Sequence, residues 1–277
     1  MSFRSYIGVD DTDVKGGPFG TGHLAKLMAN QLPLGYARWA VIRHQLPQLK
    51  GISFTSHNSP ACLIVDSDER PDLDLLAKIA SDHVLSLACE GSDPGICVAC
   101  EGPELSPLAA FGLEASRKVV SQSDAQAAAS ESGAKLLGLG GTSDGIIGAA
   151  AAVGLSVKGW FGRLLDYRVP LKTLPNPIQV GTLRGYGILV VSLDRQAFIP
   201  MDEDWVETFG WIRPYLWANQ VVLPVLPKGN PARLGGQWRT VHYRSPLKRY
   251  LKPIVKPKVK ALKKYLGLGP EYQLIKK

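Results

Sequence analysis

Residues 3–13 read Phe-Arg-Ser-Tyr-Ile-Gly-Val-Asp-Asp-Thr-Asp, an apolar stretch that ends in three carboxylates. Its aromatic and β-branched residues predict a strand over Phe3–Val9. Neighbouring carboxylates repel one another, and a hard cation such as Mg²⁺ would stabilise them. Ligands of open α/β sheets bind at the carboxyl ends of strands, where this cluster lies. We therefore predict that Asp10, Asp11 and Asp13 bind metal; the alternative is a turn in which Asp11 or Asp13 caps the loop.

Strands and helices alternate from this strand to about residue 155. The apolar spacing predicts helices over Thr21–Asn30, Pro71–Ala88, Pro107–Val120, Asp124–Leu136 and Ile146–Val153, and strands over Tyr36–Gln45, Ala61–Val65 and Gly95–Cys100. Trp, Pro and Gly cluster in residues 160–245, where short strands and turns are expected and Gly187–Asp194 is the clearest strand. The fold class is therefore α/β (α+β).

The charge is unevenly distributed along the chain, whose net charge is +8. Residues 229–277 contain 13 Lys and Arg but one acid, Glu271, whereas the rest is mildly acidic. Pro253 and Pro257 interrupt any long helix there, and Tyr250 and Tyr265 could stack on bases. We expect tRNA or another polyanion to bind this basic tail; the alternatives are a solvated tail and a contact with an acidic partner.

The composition argues against membrane insertion and a disulfide framework. The longest apolar stretch, near Gly145–Val157, is too short to span a bilayer, and the N-terminus has no signal-peptide pattern, so we expect a cytoplasmic protein with no membrane span. The four cysteines, at positions 62, 89, 97 and 100, are then expected to be reduced. Cys97 and Cys100 would lie on opposite faces of a strand, which favours buried thiols over a metal site.

Two Gly-rich turns, Gly16–Gly22 and Gly138–Gly148, lie beside predicted helix starts. Glycines allow close approach to phosphate, and a helix N-terminus offers free N–H groups; the alternative is ordinary turn chemistry. The predicted nucleotide-binding residues are Gly20, Gly22, Lys15, Gly141, Thr142, Ser143 and Gly145. Lys15 and Lys135 are candidate cations, and the loop at His57 and Asn58 could line a substrate site. His23 is more typical of a structural histidine.

Several of these stretches together resemble the archaeal isoleucine-tRNA agmatinylcytidine synthetase family. The resemblance rests on Ile7–Asp13, Gly20–Ala25, Ser56–Ala61, Asp93–Gly95 and Gly145–Gly154, in the same order and at similar spacing over roughly residues 4–155. It implies a kinase-like α/β domain with a ferredoxin-like or β-rich second domain. It also implies the use of ATP and Mg²⁺ to phosphorylate a cytidine oxygen, after which agmatine displaces the phosphate.

The resemblance also assigns roles to single residues. The family's autophosphorylated threonine corresponds to Thr21, and its metal-binding aspartates correspond to Asp10, Asp11 and Asp13. We predict Thr21 and Asp11 as the catalytic residues; the alternative for Thr21 is a helix N-cap. The family's Cys-Thr-Thr-Tyr is Gly20-Thr-Gly-His23 here, and two family arginines are replaced by His57 and Asp144.

The expected domains are a kinase-like α/β domain over residues 1–158, either continuous or with the second domain inserted near 60–125, a β-rich part over 159–245, and the basic tail over 246–277. The family's OB-fold and zinc ribbon are expected to be absent, because the basic stretch is short and poor in Cys. The predicted function is ATP- and Mg²⁺-dependent phosphoryl transfer that activates an acceptor oxygen for amine attack. The alternatives are a non-catalytic RNA-binding protein and an accessory factor of a biosynthetic assembly.

Overall fold

The computed structural model describes residues 2–52, 54, 57–160, 162–229 and 236–241. The chain divides into two compact units, Met1–Arg168 and Val169–Lys277. Both units contain strands together with helices, which confirms the α/β (α+β) class. The basic tail at 246–277 lies outside the described residues. In the described part of the chain, every helix is too short or too polar to cross a bilayer.

The described residues of the first unit form one antiparallel sheet, five α-helices and a single-turn 3-10 helix at Pro103–Leu105. Its strands are β1 (Phe3–Asp10), β2 (Tyr36–Arg43), β3 (Ala61–Ser67), β4 (Gly95–Cys100), β5 (Lys135–Gly138) and β6 (Arg163–Tyr167). Its helices are α1 (Thr21–Met28), α2 (Leu73–Leu87), α3 (Ser106–Ala115), α4 (Gln122–Glu131) and α5 (Gly145–Lys158). The strand order is β5-β4-β1-β3-β2-β6, and each neighbouring pair is antiparallel.

Both faces of this sheet are covered, which explains why its strands have continuous rather than alternating apolar runs. Ile7 and Val9 of β1 enter a core with Leu24 of α1 and Leu76 of α2. Gly8, between them, points to the opposite face, because successive side chains of a strand alternate. On that face a Cβ at Gly8 would overlap the backbone of Ala149 in α5.

Helix α5 therefore lies unusually close to the sheet, and glycine makes the approach possible. A Cβ at Gly95 of β4 would overlap the backbone of Gly145 and Ile146 at the start of α5. Gly154 and Gly112 permit an equally close contact between α5 and α3, where a Cβ at Gly112 would lie 2.8 Å from the backbone nitrogen of Leu155. The helix continues past the predicted end at Val153 because Gly154 serves this packing rather than termination, and it ends at the left-handed Gly159.

The segment at residues 122–138 differs from its predicted form. Ser121 is the N-cap of α4, with a reciprocal capping box to Asp124. The helix ends at Glu131 rather than Leu136, because Gly133 takes a left-handed conformation with φ of 63°. Residues Lys135–Gly138 then pair with β4 as a short edge strand, which helical periodicity did not reveal.

The second unit is rich in short strands, as the sequence indicates. It contains β7 (Ile178–Gln179), α6 (Val180–Gly185), β8 (Ile188–Ser192), β9 (Trp205–Glu207), β10 (Tyr215–Trp217), β11 (Gln220–Lys228) and β12 (Gln237–Thr240). Strand β11 is its centre and pairs with β8 in parallel and with β10 and β12 antiparallel. The buried Trp238 donates from Nε1 to Asp204 Oδ2 at 2.8 Å, which satisfies the only polar atom of the indole ring.

Candidate functional site

The predicted site residues of the first unit gather at one edge of its sheet, which we call the site edge. Antiparallel pairing brings carboxyl ends and amino ends of strands to the same edge. In order across the sheet the terminal residues are Gly138, Gly95, Asp10, Ala61, Arg43 and Arg163. The loops that follow or precede these ends carry Asp11–Asp13, Asn58 and the second Gly-rich turn. Residues distant in sequence therefore meet here.

Asp10 lies where β1 meets helix α5. Its carboxylate packs against Gly148, where a Cβ would overlap it, and it accepts a hydrogen bond from the Asp11 backbone N–H. Burial raises the pKa of Asp10 to about 7; the Asp11 N–H opposes this rise, and the charges of Asp11 and Asp13 add to it. Asp10 is thus held in a place that disfavours its charged form.

Asp11 is surrounded by other carboxylates of the site edge. It takes a left-handed backbone conformation, with φ of 52°, a strained geometry that is common at functional sites. Burial, followed by the charges of Asp93, Asp13 and Asp144, raises the pKa of Asp11 to about 6. The local field is therefore strongly negative, and a cation near Asp11 would relieve it.

Thr21 is buried at the start of α1 and is bound to the acidic loop. Its hydroxyl accepts a hydrogen bond from Thr12 Oγ1 at 3.1 Å and donates one to Asp13 Oδ1 at 3.4 Å. The N-cap of α1 is Gly20, so the alternative interpretation of Thr21 as the N-cap is wrong. The structure thus brings predicted catalytic and metal-binding residues into direct contact.

The start of α1 offers open N–H groups beside this threonine. Gly20 supplies no side-chain cap, and the first turn contains no acid. The first N–H groups of a helix have no partner within the helix, so this end attracts anions. A Cβ at Gly20 would lie 3.5 Å from Asp13 Oδ2, and Lys15 is exposed in the preceding loop. The side chain of His23 is exposed and its ring lies 5.0 Å from that of Phe19.

The second Gly-rich turn is held closed by hydrogen bonds within the protein. The Thr142 N–H and hydroxyl donate to the two carboxylate oxygens of Asp93, at 3.0 and 2.7 Å. The Gly145 N–H donates to the Asp93 carbonyl and the Ser143 N–H to the Gly140 carbonyl, each at 3.0 Å. These three N–H groups are occupied, so their predicted phosphate contacts gain no support from the hydrogen bonding. A Cβ at Gly141 would overlap Asp93.

The predicted substrate loop has one structural and one exposed member. Asn58 is buried. Its side-chain amide donates to the Pro47 carbonyl at 3.0 Å, and its backbone carbonyl accepts from the Gln45 side chain at 2.8 Å. Asn58 thus holds the chain between β2 and β3 in place. His57 is exposed beside it. Ser56, which precedes them, lies outside the described residues.

Carboxylates at the site edge match the oxygen ligands that Mg²⁺ prefers. In the described residues, no group of three or more His, Cys, Asp or Glu side chains forms a ready-made metal cage. Mg²⁺ is commonly held by one or two carboxylates together with water and phosphate oxygens, so the residues present fit that mode of binding. All four cysteines are free; Cys97 is buried as predicted, whereas Cys100, which was expected to be buried too, is partly exposed. Cys62 is buried and Cys89 is partly exposed.

Sequence reasoning missed several residues of the site edge. Thr12 is buried and orients Thr21, while Asp93 and Asp144 shape the field at Asp11. Asp144 also accepts a hydrogen bond from Gln122 at 2.7 Å. Lys135, a candidate cation for the phosphates, lies three residues before Gly138 in β5. It instead forms an ion pair with Asp74 at 2.7 Å. The Asp93-Pro-Gly95 turn was a usable signal, because it precedes a strand beside β1.

Comparison with known proteins gives a match in structure alone. No protein-family model matches the sequence, and no curated protein matches it. The complex of TiaS with an isoleucine tRNA and ATP aligns with a TM-score of 0.50 and 22% identity, covering 64% of this chain and 42% of TiaS. Apo TiaS, an agmatidine synthetase of that tRNA, aligns with a TM-score of 0.49 and 21% identity, covering 70% of this chain and 45% of TiaS.

A further TiaS complex, with the same tRNA, AMPCPP and agmatine, aligns with a TM-score of 0.49 and 20% identity, covering 66% of this chain and 44% of TiaS. The chain thus spans less than half the length of these structures. Its mixed α/β architecture agrees with the expectation drawn from the synthetase resemblance. At the level of fold, this chain is similar to the matched part of TiaS.

Proposed function

We propose that this chain is an ATP- and Mg²⁺-dependent phosphoryl-transfer enzyme that modifies RNA. The observation that carries the proposal is the contact of Thr21 with the acidic loop, at the site edge of a fold shared with a tRNA- and ATP-bound protein. A hydroxyl beside several carboxylates suits phosphoryl transfer, because this chemistry depends on positioning and on charge stabilisation. The basic tail in the sequence adds a segment suited to RNA.

In this proposal Asp11 and Asp13 hold Mg²⁺, with Asp10 beside them. Bound Mg²⁺ would neutralise charge on the phosphates. The N–H groups at Gly20 and Gly22, with Lys15, face the phosphates, and Thr21 positions or accepts the phosphoryl group. The neighbouring wall around Asp93 is formed by Gly141, Thr142, Ser143 and Gly145. Most of their N–H groups are already bonded within the protein and are not available to the phosphates.

The overall reaction has two steps. The γ-phosphoryl group moves from ATP to a carbonyl-like acceptor oxygen, with ADP as the leaving group. An amine then attacks the acceptor carbon, the carbon–oxygen bond breaks, and inorganic phosphate leaves while the amine loses a proton. Phosphate is a better leaving group than hydroxide, which is the reason for the first transfer. We propose that His57, exposed beside Asn58, borders the acceptor.

The test is incubation of the full chain with γ-labelled ATP and Mg²⁺, followed by mass spectrometry for phosphothreonine and by assay of ATP hydrolysis. We expect label on Thr21 or turnover with RNA present, and neither with Thr21→Val. A chain that binds RNA but neither labels nor hydrolyses ATP would support the non-catalytic alternative. Stable co-purification with a partner enzyme, with both activities absent, would support the accessory role.

RNA binding through the basic tail is tested separately. A chain lacking residues 246–277 should bind tRNA more weakly, and its log K should depend less steeply on log salt, because fewer counterions are released. Glu271→Gln in the full chain is the control, since it raises the net positive charge of the tail. An unchanged salt dependence in the truncated chain would place RNA binding elsewhere.

A further inference from the structure

Two arginines face each other across neighbouring strands at the site edge. Arg43, the last residue of β2, is the register partner of Arg163, the first residue of β6. Like charges directly opposite on one face of a sheet are destabilising. Arg43 donates from Nη2 to Ser59 Oγ at 2.9 Å, but neither guanidinium forms an ion pair in the described residues. The pair therefore carries unneutralised charge.

The pair lies on the same side of the sheet as the start of α1. A Cβ at Gly22 would meet the side chain of Leu165, which lies two residues beyond Arg163 in β6. Val41 packs in the core with Leu24 of α1, and residues two apart in a strand share a face, so Arg43 and its register partner Arg163 also lie on the face that α1 covers. Burial and the charge of Arg163 lower the pKa of Arg43, while the charge of Asp13 opposes this change. Asp13 is thus close enough to act on the charge of Arg43 as well as on the carboxylates of Asp10 and Asp11.

Phosphate needs donors at this site that the second Gly-rich turn does not supply. The N–H groups of Thr142, Ser143 and Gly145 are already bonded within the protein, and Asp93 and Asp144 make that wall negative. Paired guanidinium groups bind phosphate oxygens with two parallel hydrogen bonds each, and they remain charged when partly buried. An anion between Arg43 and Arg163 would also remove their mutual repulsion.

We propose that Arg43 and Arg163 jointly bind the terminal phosphates of a nucleoside triphosphate. This inference rests on the proposed function and names two residues that no motif indicated. The arginines would hold the phosphates, and a cation held by Asp11 and Asp13 would neutralise part of their remaining charge. The start of α1 then directs Thr21 towards the terminal phosphate.

The test compares Arg43→Gln and Arg163→Gln in the full chain, with Arg117→Gln as the control because Arg117 is exposed beyond α3. Isothermal titration measures the binding of ATP and of inorganic tripolyphosphate in EDTA. We expect about tenfold weaker binding of both ligands to each site variant and no change in the control. Thermal unfolding without ligand should show Arg163→Gln at least as stable as the original chain, since repulsion is removed.

Equal tripolyphosphate affinity in Arg163→Gln and in the original chain would overturn the inference. So would site variants that bind tRNA more weakly but retain their ATP affinity, because the pair would then hold RNA phosphates. If the original chain binds tripolyphosphate but not ATP, the phosphate site stands and the proposed nucleotide chemistry fails. If ATP binds and reacts equally in all four proteins, the proposed function stands and the arginine site fails.

Discussion

The Thr12 hydroxyl donates a hydrogen bond to the Thr21 hydroxyl at 3.1 Å, and both side chains are buried. This bond joins the loop after β1 to the first residue of α1. Because Thr12 occupies one lone pair of the Thr21 oxygen, the Thr21 proton is directed towards Asp13, 3.4 Å away. Thr21 is therefore a positioned hydroxyl with an acceptor for its proton, which an N-cap residue would not need.

The first prediction concerns this hydroxyl. Thr21→Ser should retain phosphoryl transfer, whereas Thr21→Val, similar in shape but without the hydroxyl, should abolish it. Losing the two hydrogen bonds should cost about 1–3 kcal/mol of unfolding free energy, which is too little to unfold a typical domain. Activity and thermal unfolding are measured on the same samples. Thr12→Val is the matched control, because it removes the orienting bond but leaves the Thr21 hydroxyl.

Thr12→Val should reduce kcat more than it changes ATP affinity, because Thr12 acts only through Thr21. Full activity in Thr21→Val would show that the hydroxyl has no part in the chemistry. Equal loss in Thr12→Val and Thr21→Val, with equal destabilisation, would show that both threonines serve only to hold the loop against α1.

The site could be predicted from sequence where its residues lie in one continuous stretch. Asp10, Asp11, Asp13 and Thr21 span 12 residues, so one strand, one loop and one helix start place all four of them. Arg43 and Arg163 are 120 residues apart and meet only through the register of β2 and β6. Register depends on the packing of whole strands and on a bulge in this pair, so local patterns could not reveal it.

The same distinction applies to the fold. Strand β4 matches its predicted range, since flanking turns and a short apolar run define it. Strand β5 is not predicted: its first two residues fall at the end of a predicted helix and Gly138 in the second Gly-rich turn, because four residues at the edge of a sheet carry too little periodicity to identify them. The predicted end of α5 at Val153 is wrong for a related reason. Gly154 continues the helix because it packs closely against α3, and this contact between distant segments cannot be inferred from the residues around Gly154.

The second prediction concerns pH. Burial raises the pKa of Asp10 to about 7 and that of Asp11 to about 6, from unfolded values near 4. The folded protein then binds more protons than the unfolded chain between about pH 4 and pH 7, so the unfolding free energy falls as pH rises through this window. One pKa unit corresponds to about 1.4 kcal/mol, and the partial exposure of Asp11 reduces its share. Without divalent cation, the two aspartates should therefore contribute more to stability at pH 5 than at pH 7.5. The buried His44, whose pKa burial lowers to about 3, acts in the opposite sense, so the aspartate contribution is measured as a difference in Tm between the original chain and an aspartate variant.

The variant Asp11→Asn isolates part of this effect. It should raise Tm at pH 7.5 and flatten the change between pH 5 and pH 7.5, because one of the repelling carboxylates is gone. Asp68→Asn, at an exposed position after β3, is the control and should leave the pH profile unchanged. A difference in Tm between Asp11→Asn and the original chain that is the same at pH 5 and at pH 7.5 would contradict the assigned direction of the pKa shift of Asp11.

The third prediction concerns the metal. If Asp11 contributes to Mg²⁺ binding beside ATP, Asp11→Asn should weaken ATP binding at least tenfold in Mg²⁺. In EDTA the same variant should bind ATP no more weakly than the original chain, since removing negative charge favours an anion. Titration calorimetry under both conditions gives the ratio. Equal weakening in Mg²⁺ and in EDTA would make the acidic loop a structural turn.

The last prediction concerns Gly148, where the Asp10 carboxylate occupies the space of a side chain. Gly148→Ala introduces a Cβ that overlaps this carboxylate, so Asp10 must turn away from its place between β1 and α5. Alanine favours helix by about 1 kcal/mol over glycine, but this gain is smaller than the typical cost of overpacking, about 1–3 kcal/mol. We expect a net loss of stability together with weaker Mg²⁺-dependent ATP binding. In the double variant Asp10→Ala/Gly148→Ala the overlap with the carboxylate is absent and only the contact with the Cβ of residue 10, at 2.8 Å, remains, so stability should recover in part relative to Gly148→Ala while ATP binding remains weak. Gly185→Ala, which introduces a Cβ into open space in α6, is the control and should alter neither property by more than about 0.5 kcal/mol. If ATP binding recovers together with stability in the double variant, Asp10 only fills space beneath α5, and the metal site is restricted to Asp11 and Asp13.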